Sequence, residues 1–180
     1  MVQIYLTEFR KDNKLTQQEL ADVLGTSRSF LSLVESGKSK LPDDKIDKIY
    51  FESRMKGWDF HSLNPLYFRL MVLNDYLFEP GNTTGTNWDF ESGHSLLPIS
   101  KTEMLRIKHA KCDDIDAVIK EILSKYPEIS DKWIRYGIGD ITDNPEKLFS
   151  SMGHKTEYVK EPERSNNDLF YLLYSLSERL

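Results

Sequence analysis

Between residues 4 and 50 the apolar positions recur at helical spacing and do not alternate. Ile4, Leu6 and Phe9 supply the inward positions of a first helix. Leu20, Val23 and Leu24 supply those of a second, on which Ala21 leaves room for a close neighbour. Thr16 and Glu19 stand at capping-box spacing, which predicts that this helix starts at Gln17. Gly25 provides the positive φ that ends it. Thr26 or Ser27 then caps a third helix, which buries Leu31 and Val34 and leaves Arg28, Ser29, Ser32 and Leu33 on another face. Gly37 closes that helix. Pro42, followed by Asp43 and Asp44, opens a fourth, with Ile46, Ile49 and Tyr50 turned inward.

Farther along, "NPLYFRLMVLNDYLFEP" (64–80) has Asn64 as a cap and Pro65 at the first helical position. It is apolar around most of its circumference, the pattern of a buried helix or a subunit contact. Residues 80–98, rich in Gly, Thr, Asn and Ser, read as a long loop. Trp88 and Phe90 there suit a ligand pocket, and a plain surface loop is the other reading. Residues 151–167 read as a polar linker. Beyond it Leu169, Leu173, Leu176 and Leu180 form a short heptad stripe. Two heptads do not sustain a free coiled coil, so the stripe is expected to dock on the body or on a partner subunit.

Nothing after residue 58 alternates at period two, so the expected class is all-α. An N-terminal bundle of four to five helices occupies 1–58. A further helical domain with the long loop occupies 59–140, and a linker with a C-terminal helix occupies 141–180. The chain of 180 residues is 39% hydrophobic and 29% charged, enough for one ordinary domain or two small ones.

The net charge of −5 argues against a general nucleic-acid coat, but it is unevenly spread. Residues 1–58 carry 10 Lys and Arg against 9 Asp and Glu, whereas 59–180 carry 14 against 20. Within 26–42, Arg28, Lys38 and Lys40 face only Glu35. Nucleic-acid contact is therefore expected to be local and N-terminal. No run approaches the ~18 apolar residues of a membrane span. No apolar signal core opens the chain, and its single Cys forms no internal disulfide. A cytoplasmic, soluble protein without membrane partners is expected.

Two crossing helices joined by a short glycine turn need Ala at the crossing, Gly at the corner and aliphatics beneath, the order found here. Arg10, "LTQQELA" at 15–21, Leu24-Gly25 and "SRSFLSLVESGK" at 27–38 resemble the lambda-repressor-like (XRE) helix-turn-helix family. The resemblance covers roughly residues 1–52. It implies that the second helix of the pair lies in the DNA major groove, with Arg28, Ser29, Ser32 and Leu33 at base edges. By the same resemblance Arg28 would take guanine O6 and N7, and Leu33 a thymine methyl. Gln17, Lys38 and Lys40 would meet phosphates. Arg10 and Glu35 would form a structural ion pair away from the DNA. The sequence departs from the family at Leu33, usually polar, and at Ser36, often Asn. An exposed Leu33 also suits a protein contact.

Residues 99–111, "ISKTEMLRIKHAK", echo 26–38, "TSRSFLSLVESGK". Ser100, Lys101 and Thr102 match Ser27, Arg28 and Ser29, and Met104, Ile107 and Lys111 match Leu31, Val34 and Lys38. Both copies then reach an Asp-Asp pair and an isoleucine-bearing helix. Tyr126-Pro127, Trp133, Gly137 and Gly139 resemble a segment that follows the helix-turn-helix in many bacterial and phage-type XRE repressors. The echo predicts a second, degenerate helix-turn-helix-like unit between about 64 and 140. Gly93 and His94 fall where Leu20 and Ala21 align, so a remnant used for packing or dimerisation is expected ahead of a second reading head. A chance echo is the remaining alternative.

His61, His94, His109 and His154 show no ligand spacing. His109 and Cys112 form the one close pair, a poor zinc site that reads as a surface His and a half-buried thiol. There is no glycine-rich phosphate loop or nucleophile elbow. The self-cleaving serine-lysine domain of some phage-type repressors is β-rich, unlike this chain. No catalytic, metal or cofactor residues are expected, and no small-molecule effector is specified. The first reading is a sequence-specific regulator, repressor-like, that binds double-stranded DNA as a homodimer on a near-palindromic operator. The alternative is a protein-interaction module such as an antitoxin or anti-repressor.

Overall fold

The capping signals in the first fifty residues act where the sequence puts them. The computed structural model describes residues 4–78 and 95–152. Among these residues the chain forms nine helices and no strand, as the all-α expectation has it. They are α1 (Leu6–Asp12), α2 (Gln17–Leu24), α3 (Arg28–Glu35), α4 (Asp43–Lys56), α5 (Pro65–Phe78), α6 (Lys101–Lys108), α7 (Ile115–Lys125), α8 (Asp131–Tyr136) and α9 (Pro145–Ser151). None of the helices among the described residues is long and apolar enough to cross a membrane. The chain divides into two compact units, Met1–Phe68 with Arg106–Cys112, and Arg69–Leu105 with Asp113–Leu180.

In the first unit, α2 opens with the full capping box of Thr16 and Glu19. It closes on Gly25 in the left-handed conformation, φ 63°. A Cβ at Gly25 would meet no neighbour within 4 Å, so the strain of a substitution there is the backbone's alone. Gly25→Ala is expected to lower stability by about 1–2 kcal/mol, the cost of a left-handed L-residue. Chemical denaturation of the full chain checks this, and an unchanged midpoint would show that the corner relaxes out of the left-handed region.

Phe9, Leu20, Ala21, Leu24, Leu31 and Ile49 are fully buried and form the core of this unit with Leu6 and Ile46. Val23 and Val34, also expected inward, are half-buried, and so is Ile4, which precedes the start of α1 at Leu6 and is not on the first helix as expected. Asn13 ties the end of α1 to residue 59, its Nδ2 donating to Asp59 O and its Oδ1 accepting from Asp59 N. Tyr50 packs edge-on against Phe60 and Tyr67.

Residues 106–112 belong to this unit. Asn64 Nδ2 donates to Ile107 O at 2.8 Å. Lys108 Nζ lies 2.6 Å from Asp47 Oδ1, and Lys111 Nζ 2.6 Å from Asp43 Oδ2. His109 points Nε2 at Asp47, 2.9 Å away, and Nδ1 at Asp43, 3.5 Å away. Burial opposes the charge on Asp47, but Lys108 and His109 outweigh it and hold its carboxyl below the usual range. His109 is therefore not the surface His the sequence suggests, since two α4 carboxylates draw it in. No group of three metal-ligating side chains forms among the described residues.

In the second unit the α5 residues Leu70, Met71, Leu73 and Leu77 are buried, and Tyr76 packs on Phe149 of α9. Burial pushes the Asp75 carboxyl on the same helix up to about 6. Trp133 of the short α8 is 1% exposed, and Gly137 ends that helix with φ 69°. Arg69 covers the exposed carbonyls at its end, donating from Nε to Ile134 O and from Nη2 to Arg135 O. Tyr126 Oη donates to Leu96 O, and Ile129 pairs with Thr142 in an isolated antiparallel bridge. Most of the expected loop at 80–98, with Trp88, Phe90, Gly93 and His94, lies outside the described residues. So do His154, most of the 151–167 linker and the leucine stripe of 169–180.

Candidate nucleic-acid interface

The turn between α2 and α3 sets the geometry of the site. Gly25 turns the chain, and Ser27 Oγ then accepts from Phe30 N at 3.1 Å, starting α3 at Arg28. At about 100° per residue, Arg28, Ser32, Ser29 and Leu33 fall within an arc of about 140°. Leu31 lies on the opposite side, fully buried. All four residues of the arc are exposed, and Leu33 keeps 46% of its surface open to solvent. α3 is thus held by one side and presents a cation, two hydroxyls and an aliphatic group on the other.

The far end of α3 is fixed by charge. Arg10 of α1 reaches Glu35 with two nitrogens, Nε to Oε1 at 2.6 Å and Nη2 to Oε2 at 3.2 Å. Its Nη1 donates to Leu15 O at 2.9 Å. The side chains keep only 16% and 8% of their surfaces in contact with water. Burial opposes the charge on Glu35. The bonds from Arg10 and Gln17, with the nearby charges of Arg10 and Lys11, overcome that and hold the carboxyl below its ordinary range. The bond to Glu35 raises the Arg10 guanidinium in turn.

Gln17 belongs to the same network. Its Nε2 donates to Glu35 Oε2 at 2.8 Å, a link between the start of α2 and the end of α3 that residue spacing does not disclose. Among the described residues its second amide hydrogen and its carboxamide oxygen make no other bond. By helix geometry the Gln17 and Gln18 backbone N–H groups have no acceptor four residues back. The capping box serves the N–H groups of Thr16 and Glu19. The start of α2 therefore offers donors suited to an anion.

Lys38 and Lys40 are exposed in the turn that follows α3, where Gly37 takes φ 72°. Among the described residues neither they nor Arg28 enters an ion pair. The structure thus places Arg28, Ser29, Ser32 and Leu33 on one face, and Arg10, Gln17 and Glu35 in one network. Lys38 and Lys40 stand in a separate turn beyond the helix. Ser36 Oγ donates to Leu33 O at 3.1 Å.

Residues 6–49 match a family model described as Helix-turn-helix. No curated protein and no solved structure matches the chain.

Proposed function

We propose, because residues 6–49 are an XRE-like helix-turn-helix segment of the DNA-binding-regulator kind, that the protein is a sequence-specific, repressor-like regulator acting as a cytoplasmic homodimer. Reading falls to residues 1–58, and each protomer lays α3 in the major groove of double-stranded DNA. Arg28 takes a guanine through O6 and N7, Ser29 and Ser32 bond to base edges, and Leu33 touches a thymine methyl. Gln17, Lys38 and Lys40 meet the backbone. Arg10 and Glu35 hold α3 in place and stay off the DNA. With so few phosphate contacts the affinity is moderate and salt-sensitive.

The observation that supports this reading best is the opposition of a fully buried Leu31 to an exposed arc of Arg28, Ser29, Ser32 and Leu33 on one eight-residue helix. Twofold symmetry makes the operator a near-palindrome with half-sites about one helical turn apart.

Selection from a random duplex pool near physiological salt tests it. Enrichment of a short inverted repeat is expected. Arg28→Ala should weaken binding to that repeat by about 1–3 kcal/mol and relax one base position per half-site. Equal weakening on every sequence would refute base reading by Arg28. The exposure of Leu33 favours one other reading, a protein-interaction module such as an antitoxin or anti-repressor. A folded dimer that enriches nothing would move the assignment there.

A further inference from the structure

We propose that α6 carries a second face for duplex DNA, formed by Lys101, Thr102 and Leu105. The proposal rests on the reading of α3 given above and extends it to a helix that the matched segment does not include. Residues 99–111 echo 26–38 in sequence, and the hydrogen bonds at the two ends of the helix recur at the matched positions.

Ser27 Oγ accepts from Phe30 N in α3, and Ser100 Oγ accepts from Glu103 N in α6, the same positions in register. Glu103 completes a capping box there by accepting from Ser100 N. At the other end, Gly37 N bonds to Val34 O and Lys38 N to Leu33 O. In α6 the equivalent bonds run from Ala110 N to Ile107 O and from Lys111 N to Arg106 O. Gly37 takes φ 72° and Ala110 φ 54°. An alanine in the left-handed region is uncommon, so this cap is held against the residue's own preference.

The side chains follow the same division. Met104 and Ile107 are 2% and 0% exposed, at the positions of the fully buried Leu31 and the half-buried Val34. Lys101, Thr102 and Leu105 are exposed at the positions of Arg28, Ser29 and Ser32, and Leu105 keeps 38% of its surface open. On the open side a cation leads the helix, a hydroxyl follows and an aliphatic side chain lies one turn on. That set offers a cation to guanine or phosphate, a hydroxyl to either, and a methyl group to thymine.

Charge selects the partner. Residues 99–111 hold four Lys or Arg against one Glu in a chain of net charge −5, with Lys101, Arg106, Lys108 and Lys111 facing Glu103. Lys108 and Lys111 are engaged by Asp47 and Asp43, whereas Lys101 enters no ion pair among the described residues. Glu103 caps the positive end of the helix, so it is the exposed Lys101 ammonium that suits a polyanion.

The test uses the full chain and a duplex pool randomised over about four helical turns. Wild type, Arg28→Ala and the double variant Lys101→Ala/Thr102→Ala are each selected, and affinities for the wild-type winner are measured across a salt series. The double variant should bind roughly tenfold more weakly. Its log–log salt slope should be shallower by about 0.9 for each phosphate no longer neutralised, or one block of selected positions should relax. That block should differ from the one Arg28→Ala relaxes. Circular dichroism of the double variant, altered only at exposed positions, should match wild type. Unchanged affinity, slope and motif in the double variant overturn the proposal. If Arg28→Ala still relaxes its own positions, the α3 reading survives that failure. If neither variant changes anything, both fall. A change in oligomeric mass without a change in DNA binding assigns the α6 face to protein contact and equally overturns the proposal.

Discussion

Leu31→Ala is expected to destabilise the first unit by about 3–4 kcal/mol and to cost DNA affinity only through the folded fraction. Leu31 is fully buried, as are Leu20, Leu24 and Ala21 on the preceding helix. Truncating a buried leucine removes its transfer free energy and leaves a cavity, and the two together cost about 2–5 kcal/mol. The eight residues of α3 are too few to stay helical without this anchor. Hydrogen exchange over residues 16–36 of the full chain reads the opening free energy of this region directly. It should fall in Leu31→Ala and hold in Arg28→Ala. Binding should weaken in both variants, for different reasons. Stabilising conditions should restore affinity to Leu31→Ala but not to Arg28→Ala, which keeps its fold and lacks the group proposed to meet the base. Unchanged protection in Leu31→Ala would mean that the opposite face of α3 does not rest on this core.

The contrast between these two residues, three apart on one helix, shows what a sequence discloses and what it withholds. Thr16, Glu19, Gly25, Ser27, Gly37 and Pro42 act within a few residues of themselves, so the starts of α2, α3 and α4 and the ends of α2 and α3 were legible. Leu20, Leu24, Leu31, Ile46 and Ile49 were legible because helical periodicity separates the buried side from the open one. That Val34 is only half-buried was not legible, because periodicity gives a direction and not a depth.

Partnerships across the chain were less accessible. The resemblance set Arg10 opposite Glu35, 25 residues apart, and no local rule would have done so. Gln17 donating to Glu35 carries no spacing signal, since an amide at a helix start reads equally well as a phosphate ligand. His109 bonding to Asp47, 62 residues away, was out of reach for the same reason. That bond, with those of Lys108 and Lys111, is how residues 106–112 come to belong to the first unit. On α5 the near-uniform apolar surface could not separate a buried helix from a subunit contact, because both need the same side chains. Burial of Leu70, Met71, Leu73 and Leu77 within the single chain decides for the first.

The Arg10–Glu35 pair carries the second large expectation. Arg10→Ala should destabilise the first unit by about 2–4 kcal/mol near neutral pH. That lies above the ~0.2–1 kcal/mol of exposed pairs and overlaps the ~3–5 kcal/mol that follows when one partner of a buried pair is removed. The reason is the carboxylate left behind. Glu35 keeps 8% of its side-chain surface in water, and among the described residues only Gln17 still donates to its side chain once Arg10 is gone. The pH dependence separates this cause from poorer packing. In the wild type the folded pKa of Glu35 lies below its unfolded value near 4.5. The pair's stabilisation is therefore fully present above pH ~4.5 and is lost as pH falls through the folded pKa. In Arg10→Ala the isolated, buried carboxyl is pushed upward, so protonation relieves the variant while it weakens the wild type. The stability gap between them should narrow steadily from pH 6 to pH 3 in denaturant titrations of the full chain. A gap that stays constant over that range would mean that Arg10 acts through the packing of its stem and not through its charge. Glu35→Gln keeps the shape and removes the charge, so it should lack the acid-dependent loss while retaining most of the helix geometry. Its DNA affinity at neutral pH then measures how far α3 depends on being held by an ion pair at its last residue, as distinct from being held by Leu31 at its middle.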